Sequence, residues 1–360
     1  MNRWGVILAG GIGSRFWPLS TPTRPKQLLP LVNDKALLVN TLDRLEPIIL
    51  PEQTLVLTTE ALRDGVRSAA PRVPQENIIV EPRPVGTAGA LTWAAREIER
   101  RAGGDAVMIS VHSDWAIADE NAYRDTLIAA ERVATIEGAL VTVGVIPTRP
   151  DSGFGYIQPG RPTESGALEV RRFVEKPTRE RAEWMLHEGY LWNSGIFVWR
   201  VRDFLAEVRA VTPEVARALG AAAAETHGRS NVGGNAADAA AAARFFAAVT
   251  PISVDVGVLE RSGRVRVLPG DFGWDDVGTW GALRRVKPED DNGNVASGDV
   301  HAVESVGNVV HAEDGTVVLY GVSDLVVVTR AGLTLVTTTD RSADLKALLD
   351  SLPEDLRDQT

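Results

Sequence analysis

The sequence predicts an α/β fold, a doubly wound sheet followed by a small β domain, and three observations carry that prediction. Short runs rich in Val, Ile and Leu alternate with amphipathic stretches through the first 150 residues, the pattern of βα units feeding a largely parallel sheet. The first run leads straight into a glycine-rich turn, Gly10-Gly11-Ile12-Gly13. After Lys287-Pro288 the texture changes to short Val-rich segments punctuated by Gly and Asp.

Taken in order, strands are expected at Trp4–Leu8, Thr54–Leu57, Asn77–Val80, Ala106–Val111 and Leu140–Val145. Helices are expected between them, around Ala36–Leu45, Glu60–Ala69, Gly89–Arg101 and Asn121–Glu137. The last places Ala122, Leu127, Ala130 and Val133 near 3.6-residue spacing. From Gly153 the strands shorten (Gly155–Gln158, Leu168–Val174, Gly195–Trp199), as in insertions that wall a second substrate. An Ala-rich stretch over residues 218–248 reads as helices with a surface loop at Gly228–Asn235. Five short strands follow, at Val300–Glu304, Asn308–His311, Thr316–Leu319, Leu325–Val328 and Thr334–Val336, before a closing helix at Ser342–Leu352. Their spacing suits a short β-helix or a folded sheet, without a strict hexapeptide repeat. The expected division is therefore residues 1–287 and a β domain with a terminal helix over 288–360.

Composition removes whole classes of chemistry. With 360 residues, 44% apolar, the chain can build two domains with a sizeable core. No cysteine occurs, which excludes thiol catalysis and disulfides and suits a reducing cytoplasm, the expected location. The five histidines, His112, His187, His227, His301 and His311, lack metal-ligand spacing, so carboxylates must hold any metal. No apolar run approaches the ~20 residues of a membrane span. The segment from Met1 to Gly13 resembles a weak signal peptide, yet Arg15, Pro18 and Pro22 follow it without a small-residue cleavage site, so a buried first strand is expected. The net charge of −10 argues against nucleic-acid and anionic-membrane partners. That charge is unevenly spread: residues 1–35 hold Arg3, Arg15, Arg24, Lys26 and Lys35 against only Asp34, a local excess of +4 suited to an anion.

The glycine-rich turn narrows the anion. Glycines let the backbone approach a phosphate, and successive N–H groups form an anion nest. A dinucleotide fingerprint would need glycine where Phe16 stands, and no Gly-Lys-Ser/Thr completes a Walker loop. Instead Arg15 is followed eleven residues later by Lys26 in Arg24-Pro25-Lys26-Gln27, two cations able to clamp a polyphosphate.

Taken together, Leu8-Ala9-Gly10-Gly11, Gly13-Ser14-Arg15 and Pro25-Lys26-Gln27 resemble the signature of the sugar-phosphate nucleotidylyltransferases. Further matches are Glu81-Pro82, Gly86-Thr87-Ala88, Ser113-Asp114, Phe173-Val174-Glu175-Lys176-Pro177, Trp192-Asn193-Ser194-Gly195-Ile196-Phe197 and Trp274-Asp275-Asp276-Val277-Gly278-Thr279-Trp280. Their order is most similar to the branch that uses GTP and mannose 1-phosphate, and the resemblance spans essentially the whole chain. It implies a Rossmann-like, GT-A-like mixed sheet and a reaction yielding GDP-mannose and pyrophosphate with Mg²⁺. Longer bifunctional members append a cupin-like isomerase domain; this chain ends before one begins, and the monofunctional form is expected. A homodimer is also expected, although the Val-rich C-terminal strands equally suit capping their own sheet.

By this resemblance, Arg15 and Lys26 are the catalytic cations, Leu8, Ala9, Gly10, Gly11, Gly13 and Ser14 bind the nucleotide, and the backbone from Gly10 to Ser14 holds its triphosphate together with Arg15. Glu81 accepts from guanine, while Gly86, Thr87 and Ala88 form the purine-contacting turn. Gly155, Tyr156, Glu175, Lys176, Asn193 and Asp255 serve the sugar phosphate. Asp114 and Asp276 bind the metal, with Asp275 a close competitor to Asp276. The sequence departs from the family pattern at three places. Trp115 follows Asp114 where His is usual, His112 stands where Pro is common, and Gly89 replaces a proline. Rival readings are a GT-A glycosyltransferase, whose usual D-x-D is missing around Asp114, a guanylyltransferase for another sugar such as a manno-heptose, and a silent nucleotide-sensing subunit. The last should have lost Arg15, Lys26 or an aspartate. Removing one preorganised charge contact typically costs ~10²–10³ in rate. Steady-state assays of Arg15→Ala and Lys26→Ala should therefore show turnover largely lost, with circular dichroism unchanged.

Overall fold

The computed structural model describes residues 2–11, 13–224 and 234–357. Fifteen strands occur among them, starting with β1 (Arg3–Leu8), β2 (Thr54–Thr59), β3 (Ile78–Glu81), β4 (Val107–His112), the two-residue β5 (Ala116–Ile117) and β6 (Leu140–Val145). They continue with β7 (Tyr156–Pro162), β8 (Leu168–Val174), β9 (Leu191–Arg200), β10 (Val265–Gly270) and the two-residue β11 (Trp274–Asp275). The last four are β12 (Val295–Val303), β13 (Val309–Tyr320), β14 (Leu325–Arg330) and β15 (Leu333–Thr338).

Nine strands form one sheet in the order β3-β2-β1-β4-β9-β6-β10-β8-β7. Neighbours among β1 to β4 are parallel, as are β6 and β10, while β9 runs antiparallel to both β4 and β6. The expected doubly wound mixed sheet is thus present. Its central strands are buried on both faces, which is why they read as continuous apolar runs rather than alternating ones. On one face Ile7, Val56, Ile109 and Val141 pack with Leu38, Tyr123 and Leu127; on the other Val6, Leu55 and Met108 pack with Leu91, Ile98, Phe204 and Phe245. The helix Glu120–Glu137 starts where the Asp119 carboxylate accepts from the amides of Asn121 and Ala122 at 3.0 and 2.9 Å, and stops at Gly138 in the left-handed region.

Strand order reverses at β1, since β2 and β3 lie on one side of it and β4 on the other. Ligands in open α/β sheets bind at the carboxyl ends of strands beside such a reversal. The glycine-rich turn leaves β1 there, Glu81 ends β3, and Ser113 and Asp114 follow β4.

Several elements differ from the sequence reading. β10 is an additional strand, wedged between β6 and β8. The segments expected at Asn308–His311 and Thr316–Leu319 merge, from Val309 onward, into the single strand β13, because its residues 312–315 bulge opposite the one β12 residue Gly298 and pairing resumes at Asp299 with Thr316. The closing helix is a 3₁₀ turn, Arg341–Asp344, leading into Leu345–Ser351. The Ala-rich stretch contains helices Pro213–Ala224 and Gly234–Ala248; the loop expected at Gly228–Asn235 lies outside the described residues except for Gly234 and Asn235, which open the second helix.

In the C-terminal sheet, of order β12-β13-β14-β15, the first three strands are parallel without intervening helices, a β-helix-like winding that stacks Val295, Val309 and Val326. Inside its corner the buried Asn294 carboxamide donates to the Ser305 carbonyl at 2.9 Å and accepts from the Asn308 amide and side chain, each at 2.9 Å. Asn308 in turn accepts from the Leu325 amide at 2.9 Å. Truncating one rung strands buried polar groups, at a cost of ~1–3 kcal/mol. Urea unfolding of Asn308→Ala should show that loss, and the exposed Asn292→Ala should not.

Candidate active site

The loop after β1 is held by its own neighbours. Ala9 donates to the Leu57 carbonyl at 2.8 Å, and its carbonyl accepts from the Gln27 carboxamide at 2.9 Å and the Thr58 hydroxyl at 3.1 Å. Gly13 has φ +68°, and a Cβ placed there would lie 2.3 Å from the Cβ of Lys26. Only glycine permits both the turn and the approach of Lys26 beneath it.

Lys26 is the tie between distant segments. Its ammonium, almost fully buried, donates to the Asp114 carboxylate at 2.9 Å and to the main-chain carbonyl of Asp276 at 2.6 Å. Burial alone would raise Asp114, but the Lys26 charge and hydrogen bond, with His112 nearby, outweigh it and hold this carboxyl below its usual range. Asp276 behaves oppositely. Burial, offset only in part by Lys26 and reinforced by Asp275, Asp151 and Asp114, pushes it up to about 6. The two adjacent acids are thereby separated: Asp275 accepts from Arg285 at 2.6 and 3.0 Å and from the Val277 amide at 2.8 Å, so its oxygens are occupied, whereas Asp276 lines the cleft.

Three cavities adjoin one another here, the widest sharing Asp114 with one neighbour and Asp276 with the other. One of about 260 Å³ is lined by Leu8, Ala9, Gly10, Gly11, Glu81, Gly86 and Thr87. Burial raises the Glu81 carboxyl to about 7, partly offset by a hydrogen bond from the Val85 amide. The turn after it is tied to another loop, because the Ala88 amide donates to the Ile252 carbonyl at 3.1 Å and the Thr87 hydroxyl accepts from the Val254 amide at 2.8 Å. The Ala88 amide is thus already engaged.

A wider cavity of about 720 Å³ is lined by Gly13, Ser14, Arg15, Lys26, Asp114 and Asp276. Arg15 is exposed and has no ion-pair partner among the described residues. The far wall comes from the C-terminal helix, through Asp344, Lys346 and Asp350. These residues carry no sequence signal, since they sit on an ordinary amphipathic helix some 330 residues beyond the turn they face.

The third cavity, about 220 Å³, is lined by Gly155, Glu175, Asn193, Asp255, Trp274 and Asp276 among others. Asp255 accepts from the Asn193 carboxamide at 2.7 Å, and the Asn193 amide donates to the Gly155 carbonyl at 2.8 Å, so three motifs form one wall. Two expected residues stand back from it. The Tyr156 ring is buried and its hydroxyl donates to the Asp151 carbonyl at 3.0 Å, while Lys176 is exposed, 3.7 Å from Glu175.

His112, which the motif reading noted only as a departure, lines all three cavities. Burial lowers its pKa despite Asp114 and Asp255 nearby, favouring neutral imidazole.

No group of three or more His, Asp and Glu able to hold a metal occurs among the described residues. The pair Asp114 and Asp276 suits a cation that keeps waters and takes its other oxygens from phosphates, as Mg²⁺ does. The raised Asp276 carboxyl, facing the cleft beside another acid, is a group that such a cation would satisfy. Ionising Asp276 in the folded chain is costly: its penalty is absent below about pH 4, grows as pH rises toward 6 and is complete above. In chelator, Asp276→Asn should therefore raise the melting temperature at pH 8 and lose that gain near pH 4, whereas Asp275→Asn, which loosens Arg285, should lower it.

The chain matches the Nucleotidyl transferase family over residues 4–293. It is 36% identical to a mannose-1-phosphate guanylyltransferase of Klebsiella pneumoniae, an alignment covering 98% of this chain and 74% of that protein. It is 35% identical to the xanthan biosynthesis protein XanB of Xanthomonas campestris, covering 96% and 72%. The crystal structure of a Thermus thermophilus protein described as a mannose-1-phosphate geranyltransferase superposes with a TM-score of 0.87 at 34% identity, covering 97% of this chain and 99% of that one. The chain belongs to the nucleotidyl transferase family, and within it to the mannose-1-phosphate guanylyltransferases.

Proposed function

We propose that this chain transfers the guanylyl group of GTP to mannose 1-phosphate. An oxygen of the sugar phosphate attacks the α-phosphorus, the bond from that phosphorus to the α–β bridging oxygen breaks, and this oxygen departs with pyrophosphate, leaving GDP-mannose. Neither a protein nucleophile nor a proton transfer is required. The task is to align two anions and neutralise the charge that builds between them. The convergence of three cavities on His112, with Asp114 shared by the first two and Asp276 by the last two, carries this reading, because it lets two separately held substrates touch only at their phosphates.

In this assignment the Gly10, Gly11, Gly13 and Ser14 turn and Arg15 hold the triphosphate, with Lys26 at the reacting end. Asp114 and Asp276 would hold Mg²⁺, which when bound neutralises phosphate oxygens and stabilises the leaving pyrophosphate. Glu175 and Asn193, the latter fixed by Asp255, bind sugar hydroxyls. Lys176 reaches the sugar phosphate from its exposed position. A homodimer is supported by the apolar side chains Val303, Val318 and Tyr320, which stay exposed on paired strands β12 and β13. The lack of cysteine supports a cytoplasmic setting.

Pyrophosphate release with GTP, Mg²⁺ and a panel of sugar 1-phosphates tests the reaction, and release that is no faster with mannose 1-phosphate than with the other sugars would reject the substrate. Glu81 supplies a sharper test of the base. A carboxylate accepts from both the ring N–H and the amino group of guanine, and it must be ionised to do so. With its carboxyl raised to about 7, kcat/KM for GTP should climb between pH 6 and 8 relative to Glu81→Gln. That variant should also lose GTP-over-UTP preference, by ~10²-fold or more if both contacts go.

A further inference from the structure

His112 ends β4, and its ring is held by packing. It packs against Trp115 with ring centroids 5.0 Å apart, and Trp115 meets Trp274 edge-on at 5.9 Å. Gly195, at φ +76°, lies against the rings of both His112 and Trp115: a Cβ there would come within 3.3 Å of the imidazole Cδ2 and Nε2 and 3.4 Å of Trp115 Cζ2. A side chain at position 195 would crowd the ring as well as strain the backbone. The imidazole makes no hydrogen bond to protein among the described residues, although Asp114, Asp255 and Lys26 surround it. A polar ring fixed by packing and left without a partner at the junction of three cavities is aimed at something that enters them.

The junction identifies that group. A base enters only the first cavity and a sugar ring only the third, so the group common to all three is the phosphate through which the two halves become joined. We propose that His112 donates a hydrogen bond to a non-bridging oxygen of the phosphoryl group being transferred, and that this contact strengthens as charge develops there. This chain would thus hold its imidazole two residues ahead of Asp114 and put Trp115 on the far side of the aspartate as its packing support. The inference rests on the guanylyl-transfer reading.

Three variants separate a donor from a packing element. His112→Phe keeps a ring against Trp115 but has no N–H; His112→Gln keeps an N–H; His112→Ala keeps neither. A lost donor to a developing oxyanion costs ~10²-fold in kcat. His112→Phe and His112→Ala should both fall by that order with KM for GTP and for the sugar 1-phosphate little changed, while His112→Gln recovers a substantial part at an unchanged melting temperature. Three results would overturn the proposal. They are His112→Phe turning over like wild type, His112→Gln no better than His112→Ala, or a loss confined to KM for the sugar phosphate. If wild type prefers another sugar 1-phosphate, the substrate assignment fails but the variants are compared with that sugar, and the same results decide. A wild-type chain inert with every sugar 1-phosphate overturns both.

Discussion

The buried ammonium of Lys26 is the contact on which the cleft depends. It joins the segment after the glycine turn to the end of β4 through Asp114 and to a loop 250 residues away through the Asp276 carbonyl. A buried ammonium is tolerated only when its donors are satisfied, so Lys26 fixes both acids relative to the phosphate-side turn. The arrangement is short of positive charge. Lys26 and Arg15 face Asp114 and Asp276 before any phosphate enters, and a polyanion brought to such a place needs a further cation. Burial, reinforced by Asp275, Asp151 and Asp114, raises the Asp276 carboxyl to about 6, while the Lys26 charge and hydrogen bond hold Asp114 below its usual range.

The C-terminal sheet contributes to this geometry through packing. Phe16, Trp17 and Leu19, directly after the glycine turn, share one core with Val295, Val309, Val326 and Leu345. Polar contacts repeat the connection: Arg330 donates to the Pro18 carbonyl at 2.9 Å, and Arg24 pairs with Glu313 at 2.8 Å. Preorganisation for charge stabilisation requires that donors not reorganise when the charge appears. A loop of glycines has little stiffness of its own, and here it borrows stiffness from a sheet more than 270 residues later in the chain.

Much of this was legible in the sequence because the informative signals are local. Each parallel strand is a compact apolar run, and the glycine turn, Glu81, Asp114 and the Asp275-Asp276 pair stand at strand ends. What was not legible depends on long-range pairing. Val265–Gly270 carries Arg266 between two valines and ends in Pro-Gly, so its place inside the sheet follows only from β6 and β8 on either side. The pairing of Asp275 with Arg285 and Arg149, which distinguishes it from its neighbour Asp276, is likewise invisible in the local pattern. Nor does any local pattern show that Lys346 faces Arg15 across a cavity, or that the Ala88 amide is engaged by Ile252.

The separation of the cavities also constrains how such a fold can change substrate. On the proposed reading the junction holds phosphate, which every nucleoside triphosphate and sugar 1-phosphate brings in the same form. Glu81 on β3 lines one end cavity, and Glu175 and Asn193 on the β8 and β9 side line the other. The two ends are tied by one loop, since residues 252–255 hold the Gly86–Ala88 turn through Ile252 and Val254 and hold Asn193 through Asp255. His112 adds a second link, because its ring lines all three cavities and lies against Gly195 beside the third. A change at Gly195 or Trp115 would move the imidazole at the junction, and a change in residues 252–255 would move both ends together.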